Sequence, residues 1–195
     1  MNCANDTLKF MKRFIYKPIS VGSIIPSSQG LSKLITSSLL LSRANVVVEL
    51  GSGTGVFTEQ IMQRVKKNTS VFVFEIDPLL AELTHKRCPH AVVINDTALN
   101  LKKQLDRYNV TSADIIISSL PFAGFNKKFQ SRLLKTIIDF LSEGGEFLTF
   151  TYVYNPLLPG GRRFKKVISS SFQNFKISKP VWENFPPSVV YDCIK

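Results

Sequence analysis

Three glycines at alternate positions, Gly51, Gly53 and Gly55, lie in the segment VVVELGSGTGVFTEQI, between a β-branched run and an amphipathic segment. Glycine suits such a turn because it adopts positive φ readily and lets a ligand approach the backbone closely. Glu49 precedes the glycines, and Glu75 ends the next β-branched run. An acid at the end of that second strand can accept both hydroxyls of a ribose. The pattern therefore predicts a nucleoside-containing ligand at the carboxyl ends of the strands.

The spacing of the glycines separates two nucleotide-binding folds. A dinucleotide-binding turn has the spacing G-x-G-x-x-G, whereas these glycines fall at every second position. Asp96 ends the third β-branched run, where it can accept from an adenine amine, and the fourth run ends in the turn Ser119-Leu120-Pro121-Phe122. Together these features favour an S-adenosylmethionine fold.

The elements that must position these residues alternate along the chain. Short β-branched runs predict strands at 46–50, 71–76, 91–95, 113–119 and 146–153, and the predicted helices between them are FTEQIMQRVKK, PLLAELTHKRC, LNLKKQLDRY and KKFQSRLLKTIIDFLSE. A further helix is predicted in LSKLITSSLLLS, and two more strands in SFQNFKIS and SVVYDCI, joined by KPVWENFPP. This order predicts one α/β domain with a Rossmann-like sheet of seven strands and helices on both faces. The alternating units imply parallel strands, whereas the ending with its two further strands is less regular.

The charge of the chain predicts a polyanionic partner, since 25 Lys and Arg against 14 Asp and Glu give a formal net charge of +11. Cys3, Cys88 and Cys193 are odd in number and widely spaced, which predicts neither a disulfide framework nor a metal site and suggests a reducing cytosol. No segment predicts a signal peptide or a membrane-spanning helix.

The N-terminal segment LKFMKRFIYK predicts an amphipathic helix. Its apolar arc consists of Leu8, Phe10, Met11, Phe14 and Ile15, and its basic arc of Lys9, Lys12, Arg13 and Lys17. Three interpretations are open for this helix: an arm for nucleic acid, an anchor lying in a membrane interface, and a stripe packed on the core of the protein. Taken alone, the segment favours the last of these.

The markers ELGSGTG, FEIDP, NDTA, ISSLPF and EGGEF follow one another in the order found in class I S-adenosylmethionine-dependent methyltransferases, which the chain resembles. The segments VGSIIPSSQGL, GGEFLTFTYVYNPL and VWENFPPSVVY extend the resemblance to the bacterial phospholipid N-methyltransferases, relatives of the ribosomal RNA adenine dimethyltransferases. The resemblance implies an N-terminal membrane-binding helix (1–20) and a methyltransferase domain (21–195). It also implies S-adenosylmethionine as cofactor, and a cytoplasmic protein bound peripherally to the inner face of the membrane.

The resemblance also assigns residues. It places Ser27 and Ser28 near the methionyl end of the cofactor, and Ser119 and Leu120 beside its methyl group. It places Glu75 and Ile76 at the ribose, and Asp96 and Thr97 at the adenine. The residues expected around the centre of the cofactor are Glu49, Gly51, Gly53, Gly55 and Thr58. Tyr152 is expected either to contact the acceptor headgroup or to close the core. Arg162 and Arg163 are expected to bind a lipid phosphate or to be ordinary surface residues. Lys9, Lys12, Arg13 and Lys17 are expected on anionic lipid.

The predicted reaction is N-methylation of an amine headgroup in a membrane lipid, most simply phosphatidylethanolamine. Adenine N-methyltransferases of this fold usually carry Asn or Asp where this chain has Ser119, and a C-terminal helical RNA-binding domain is not expected here. An RNA adenine N6-methyltransferase, favoured by the basic charge, is therefore the less expected alternative. A third hypothesis is a non-catalytic cofactor-binding protein. The chain departs from the family pattern at Asn95, Thr97 and Ser119, and no general base is visible for deprotonating the amine.

Overall fold

The β-branched runs of the sequence form a single sheet in the computed structural model, which describes residues 28–195. The strands of this part are β1 (Val46–Leu50), β2 (Ser70–Phe74), β3 (Val92–Ile94), β4 (Ala113–Ser118), β5 (Leu141–Tyr152), β6 (Asn174–Ile177) and β7 (Ser188–Ile194). The predicted N-terminal amphipathic helix and Ser27 lie outside the described residues.

The helices alternate with these strands. They are α1 (Gln29–Ile35), α2 (Val56–Met62), α3 (Pro78–Arg87), α4 (Leu101–Leu105), α5 (Lys127–Phe140) and α6 (Pro159–Ser171). Asp77 begins α3 by accepting from the backbone N–H groups of Leu79 and Leu80, while Pro78 occupies the first turn, where no N–H is needed.

The strand order is β3, β2, β1, β4, β5, β7, β6. Strands β1 to β5 pair in parallel, so their carboxyl ends lie at one edge, which we call the carboxyl edge. Strand β7 is antiparallel to both of its neighbours, β5 and β6. The prediction of a Rossmann-like α/β fold with seven strands is confirmed. The sequence analysis assigned no direction to the last two strands, because an apolar strand pattern does not reveal strand direction.

Two apolar clusters hold the layers together, one on each face of the sheet. One contains Leu31 and Ile35 of α1 with Phe57 and Ile61 of α2. The other contains side chains of α4, α5 and α6, including Leu101, Leu133 and Phe164. Helices therefore cover both faces, as the sequence predicts.

Two helices differ from the sequence-based expectation. The predicted helix over 31–42 ends at Ile35, because the hydroxyls of Thr36 and Ser37 donate back to the carbonyls of Ser32 and Leu34 and compete with the helical pattern. Helix α6 was missed, since Pro159, Gly160 and Gly161 at its start resemble a loop. Glycine is needed at position 160 because a Cβ there would stand 2.1 Å from the carbonyl oxygen of Ala123.

Candidate active site

Hydrogen bonds that continue the strand ladders bring the turns of the carboxyl edge together. The Gly51 N–H donates to the Phe74 carbonyl (2.8 Å), and the Ser119 N–H donates to the Leu50 carbonyl (3.1 Å). The Glu75 N–H in turn donates to the carbonyl of Ile94, at the end of β3 (3.1 Å). The turns after β1, β2, β3 and β4 therefore form one continuous site, as expected for parallel strands in this fold.

The glycine-rich turn has left-handed backbone geometry at each of its three glycines, with φ of 83° at Gly51, 55° at Gly53 and 80° at Gly55. A Cβ on Gly51 would stand 2.9 Å from side-chain atoms of Ser119 and Leu120, whereas a Cβ on Gly53 would meet nothing within 4 Å. Gly51 is therefore needed for close packing, and Gly53 leaves open space above the turn, where a ligand can approach the backbone.

Glu75 connects the glycine-rich turn to the end of β2. Its Oε2 accepts from the Gly53 N–H (2.9 Å), and its Oε1 accepts from the Asp77 N–H (3.0 Å). Burial raises the pKa of Glu75, although these backbone hydrogen bonds act in the opposite direction. Because a carboxylate offers about four lone-pair sites, Glu75 retains acceptor capacity for two ribose hydroxyls.

Glu49 lies beneath the same turn and is completely buried. Its Oε2 accepts from the Thr58 hydroxyl (2.5 Å), while its Oε1 has no hydrogen-bond partner among the described residues. Burial raises the pKa of Glu49 to about 8 against the opposing Thr58 bond, and the neighbouring charge of Glu75 adds to the increase. A buried oxygen without a partner is costly, so this position is suited to a cationic or hydrogen-bonding ligand.

Asp96 lies after β3 and is held rigidly by its neighbours. The Thr97 N–H donates to its Oδ1 (2.7 Å), the Asn100 side chain donates to both oxygens (2.9 and 3.0 Å), and the Gln104 side chain donates to Oδ2. Burial acts to raise the pKa of Asp96, but these hydrogen bonds outweigh it and lower the pKa below its usual value. An adenine amine would therefore share an oxygen with Asn100 or Gln104, two contacts that the sequence analysis missed.

The turn after β4 places the Leu120 side chain toward the site and the Ser119 hydroxyl toward the backbone. Ser119 donates its hydroxyl proton to the Gly51 carbonyl, which joins this turn to the glycine-rich turn. Leu120 is buried and borders the cleft between β1 and β3. The cleft is lined by Gly51, Phe74, Ile76, Asp96, Thr97, Ala98, Leu120, Phe125, Phe129 and Leu133. Its mainly apolar walls suit a flat heterocycle.

Tyr152 lies at the end of β5, at the same carboxyl edge. Its ring stacks on Tyr154 with centroids 5.6 Å apart and meets Phe150 edge to face at 6.2 Å. Burial raises its pKa, and the neighbouring Tyr154 adds to the shift. The phenol therefore stays protonated at neutral pH and can donate a hydrogen bond, which makes it a poor proton acceptor.

Two distant sequence motifs meet beside β5. The Ser28 hydroxyl accepts from the Leu31 N–H and begins α1, while the Ser28 N–H donates to the Asn184 side chain (3.0 Å). Asn184 also donates to Pro186 and Ser188, and Ser188 lies opposite Tyr152 in the sheet. Asn184 was not assigned a role from the sequence, although it lies in the distinctive segment VWENFPPSVVY.

The two arginines predicted to bind lipid phosphate have different environments. The guanidinium of Arg163 donates to the Gln130 side chain (3.0 Å) and to the Phe125 carbonyl (2.8 Å), so it connects α6 to α5 and to the turn before it. Arg162 is exposed. The phosphate-binding prediction therefore fits Arg162 better than Arg163, because the guanidinium of Arg163 is already hydrogen-bonded within the fold.

Residues 28–195 contain no cluster of three His, Cys, Asp or Glu side chains arranged to hold a metal ion. In the same range, no helix has the length and apolar character needed to cross a bilayer.

Comparison with known proteins identifies the family of this site. Residues 19–137 match the family model described as ribosomal RNA adenine dimethylase. The chain belongs to this family. It is an S-adenosylmethionine-dependent methyltransferase, as the sequence analysis predicts.

Similar proteins include both lipid and RNA methyltransferases. An ornithine lipid N-methyltransferase of Singulisphaera acidiphila is 30% identical over 194 residues, which cover 96% of this chain and 95% of that protein. A ribosomal RNA small subunit methyltransferase A of Thermotoga maritima is 26% identical over 121 residues, 62% of this chain and 41% of that protein.

Solved structures support the fold. An O-methyltransferase from Bacillus cereus in complex with SAH has a TM-score of 0.65 at 15% identity, over 98% of this chain and 90% of that one. The N-methyltransferase NodS from Bradyrhizobium japonicum has a TM-score of 0.62 at 13% identity, over 84% of this chain and 94% of that one.

The observed geometry fits the cofactor of this family. Glu49 Oε1, which has no hydrogen-bond partner within residues 28–195, and the open space above Gly53 leave room for a polar, positively charged ligand. Glu75 would hold its ribose, and the apolar cleft beside Ile76 and Thr97 would hold its adenine. These residue roles stay predictions.

Proposed function

We propose that this methyltransferase transfers methyl groups to the amine headgroup of a membrane lipid. The turn after β4 is the observation that carries this proposal. Ser119, which stands where adenine-specific enzymes of this fold place an amide or acid, directs its hydroxyl to the Gly51 carbonyl, and Leu120 and Phe122 are buried. This turn therefore offers no side-chain amide or carboxylate to pair with the flat amine of a base.

The nearly full-length similarity to an ornithine lipid N-methyltransferase supports the same acceptor class. Phosphatidylethanolamine is the simplest acceptor, since its primary amine is accessible at the membrane surface. The free side-chain amine of an ornithine lipid is the second candidate, and the similarity to the ornithine lipid N-methyltransferase supports it. Both acceptors combine an amine with two acyl chains, so the same site could serve either one.

The side chains of the protein contribute to the reaction by positioning the acceptor headgroup and by keeping water away from the cleft. When bound, the cofactor supplies an electrophilic methyl group on a sulfonium. Leu120, Phe125 and Phe129 line the cleft with apolar side chains, which disfavour water beside a bound ligand. Tyr152, protonated at neutral pH, can donate to an acceptor oxygen and orient the headgroup. The amine must lose its proton to water before it attacks, because the Tyr152 phenol already holds its own proton at neutral pH.

We also propose that the protein lies on the inner face of the membrane, with residues 1–20 as an anchor and residues 21–195 as the catalytic domain. The basic and apolar arcs of residues 8–17 support this proposal, since such a helix binds anionic interfaces.

Transfer of labelled methyl groups tests the acceptor. Purified protein is given labelled S-adenosylmethionine with vesicles of phosphatidylethanolamine and phosphatidylglycerol, with the same vesicles carrying ornithine lipid, or with unmodified ribosomal RNA. We expect label in lipid and none in RNA. Label in RNA alone would refute the lipid proposal, and the Tyr152→Phe variant should lower transfer to lipid about tenfold if Tyr152 orients the headgroup.

A further inference from the structure

Large exposed apolar side chains are concentrated at one corner of the carboxyl edge. Six of the eleven such side chains in the described part of the chain belong to two loops, the one between β5 and α6 and the one between β6 and β7. We call five of them the apolar rim: Tyr154, Leu157, Leu158, Trp182 and Phe185. Leu157, Trp182 and Phe185 are 74%, 73% and 78% exposed. An exposed apolar group of this kind marks an interaction surface.

Backbone hydrogen bonds hold the two loops of the rim together. The Val153 N–H donates to the Pro187 carbonyl (2.9 Å), and Val181 pairs with Ser188 through bonds of 2.8 and 3.3 Å. Ser188 is in turn the register partner of Tyr152 in β5. The rim therefore has a fixed framework and lies directly beside the predicted headgroup position.

Exposed cations flank the rim. Arg162 follows it in the first turn of α6, Lys179 precedes Trp182 in the β6–β7 loop, and Lys127 and Lys128 begin α5. The start of α6 packs against the turn before α5, because Gly160 faces the Ala123 carbonyl. Glu183 is the exposed acid within the β6–β7 loop. The combination of aromatic and aliphatic side chains with surrounding cations is complementary to an anionic lipid surface.

We propose that the apolar rim is a membrane-inserting surface that acts separately from the N-terminal segment and places Tyr152 at headgroup depth. The inference rests on the proposed lipid substrate. A lipid amine sits at the interface between water and acyl chains, so an enzyme that reaches it benefits from a surface that enters the same layer beside its site. Tyr and Trp are suited to this depth because each ring is apolar with one polar atom.

The emission of Trp182 tests this directly, because it is the one tryptophan of the whole chain. Full-length protein is mixed with vesicles of phosphatidylethanolamine and phosphatidylglycerol, and binding is measured in parallel by sedimentation. We expect a blue shift on binding and strong quenching by lipids brominated on their acyl chains. Vesicle-bound protein whose Trp182 emission stays that of a water-exposed indole would overturn the proposal.

Other occupants of the rim give different signals, and each overturns the proposal. Emission that is already blue-shifted without vesicles indicates a rim covered by the chain's own remaining residues. A shift that depends on protein concentration indicates a second copy. Quenching by single-stranded RNA with no response to vesicles indicates base stacking.

A matched pair of variants separates this inference from the proposed function. Leu157→Ser should weaken vesicle binding about tenfold. Leu39→Ser should leave it unchanged, because Leu39 lies away from the rim in the connection between α1 and β1, although it is even more exposed (84% against 74%). Methyl transfer to the same lipid dispersed in detergent should be equal in both variants. If Trp182 shifts on vesicles but no lipid is methylated in vesicles or in detergent, the proposed lipid methylation is refuted and insertion of the rim is not. If lipid is methylated but Trp182 does not shift, insertion of the rim is refuted and the proposed function is not.

Discussion

The backbone N–H of Ser28 donates a 3.0 Å hydrogen bond to the side-chain oxygen of Asn184, which follows it by 156 residues. Asn184 is buried, and its amide also donates to the Pro186 carbonyl and to the Ser188 hydroxyl, at 2.9 Å each. One side chain thus fixes the start of α1 to the loop that precedes β7. This connection lies beside the end of β5, where Tyr152 contacts Tyr154.

Replacing Asn184 with Ala should therefore lower the free energy of unfolding by about 1–3 kcal/mol, since it leaves buried polar groups without partners. Denaturant unfolding measures this change. Asn68→Ala, at an exposed position, is the control and should stay within about 0.5 kcal/mol of the parent protein. Equal stability of the two variants would contradict the structural role of Asn184.

Glu75→Gln should weaken S-adenosylmethionine binding about tenfold or more, because hydrogen bonds from ribose hydroxyls to a charged acceptor are replaced by weaker ones. Isothermal calorimetry provides the affinity. The exposed Glu82→Gln serves as the control, since Glu82 pairs with Lys86 at the surface, away from the glycine-rich turn. A Glu75→Gln variant with full affinity would exclude the ribose assignment.

Binding of the cofactor should release a proton from Glu49. With a pKa near 8, Glu49 is mostly protonated at neutral pH in the free protein. A cation beside its open oxygen favours the ionised form and lowers that pKa, so affinity should increase as the pH increases from about 6 to 8. Calorimetry in buffers of different ionisation enthalpy counts the released protons. In Glu49→Gln this release should disappear; proton release that persists would assign it to another group.

The raised pKa of Glu49 also affects folding in the absence of ligand. Its folded-state pKa exceeds the unfolded value, so its contribution favours folding most at low pH and is lost as the pH increases through about 8. Glu49→Gln should flatten this part of the stability profile of the free protein. A profile that keeps its slope in the variant would place the titrating group elsewhere.

Arg163→Ala and Arg162→Ala should affect different properties of the protein. Arg163 donates to Gln130 and to Phe125 inside the fold, so its removal should cost about 2–3 kcal/mol of stability. Arg162 is exposed, so its removal should change stability by less than about 0.5 kcal/mol but weaken binding to anionic vesicles by about 1 kcal/mol. Thermal unfolding and vesicle sedimentation separate the two effects, and equal stability losses would refute the distinction.

The sequence predicted the site best where strand geometry determines it. Glu49, Glu75 and Asp96 each follow a parallel strand, and the carboxyl ends of such strands meet at one edge, so their proximity could be expected. The direction of the Ser119 hydroxyl could not be predicted. Rotation about a single side-chain bond determines whether this hydroxyl faces the site or donates to the Gly51 carbonyl, as it does in the structure. The bond between Ser28 and Asn184 depends on the whole fold.

Helix α6 and the direction of strand β7 were not predicted, for different reasons. Gly160 and Gly161 reduce helix propensity, and their purpose, close approach to Ala123 and Asn155, is visible only in three dimensions. The direction of β7 depends on the length and path of the β6–β7 loop. The apolar pattern of SVVYDCI is compatible with either a parallel or an antiparallel strand and therefore does not determine this direction.

The position of β7 between β5 and β6 also sets the order in which the protein can fold during synthesis. Strand β7 follows both of its neighbours along the chain, so on the ribosome the hydrogen-bonding edge of β5 has no partner until β7 emerges. Until that moment the growing chain exposes one unpaired edge of an apolar strand to other nascent chains. Slow translation after residue 177 should therefore favour aggregation, and protection by a chaperone should matter most during this interval.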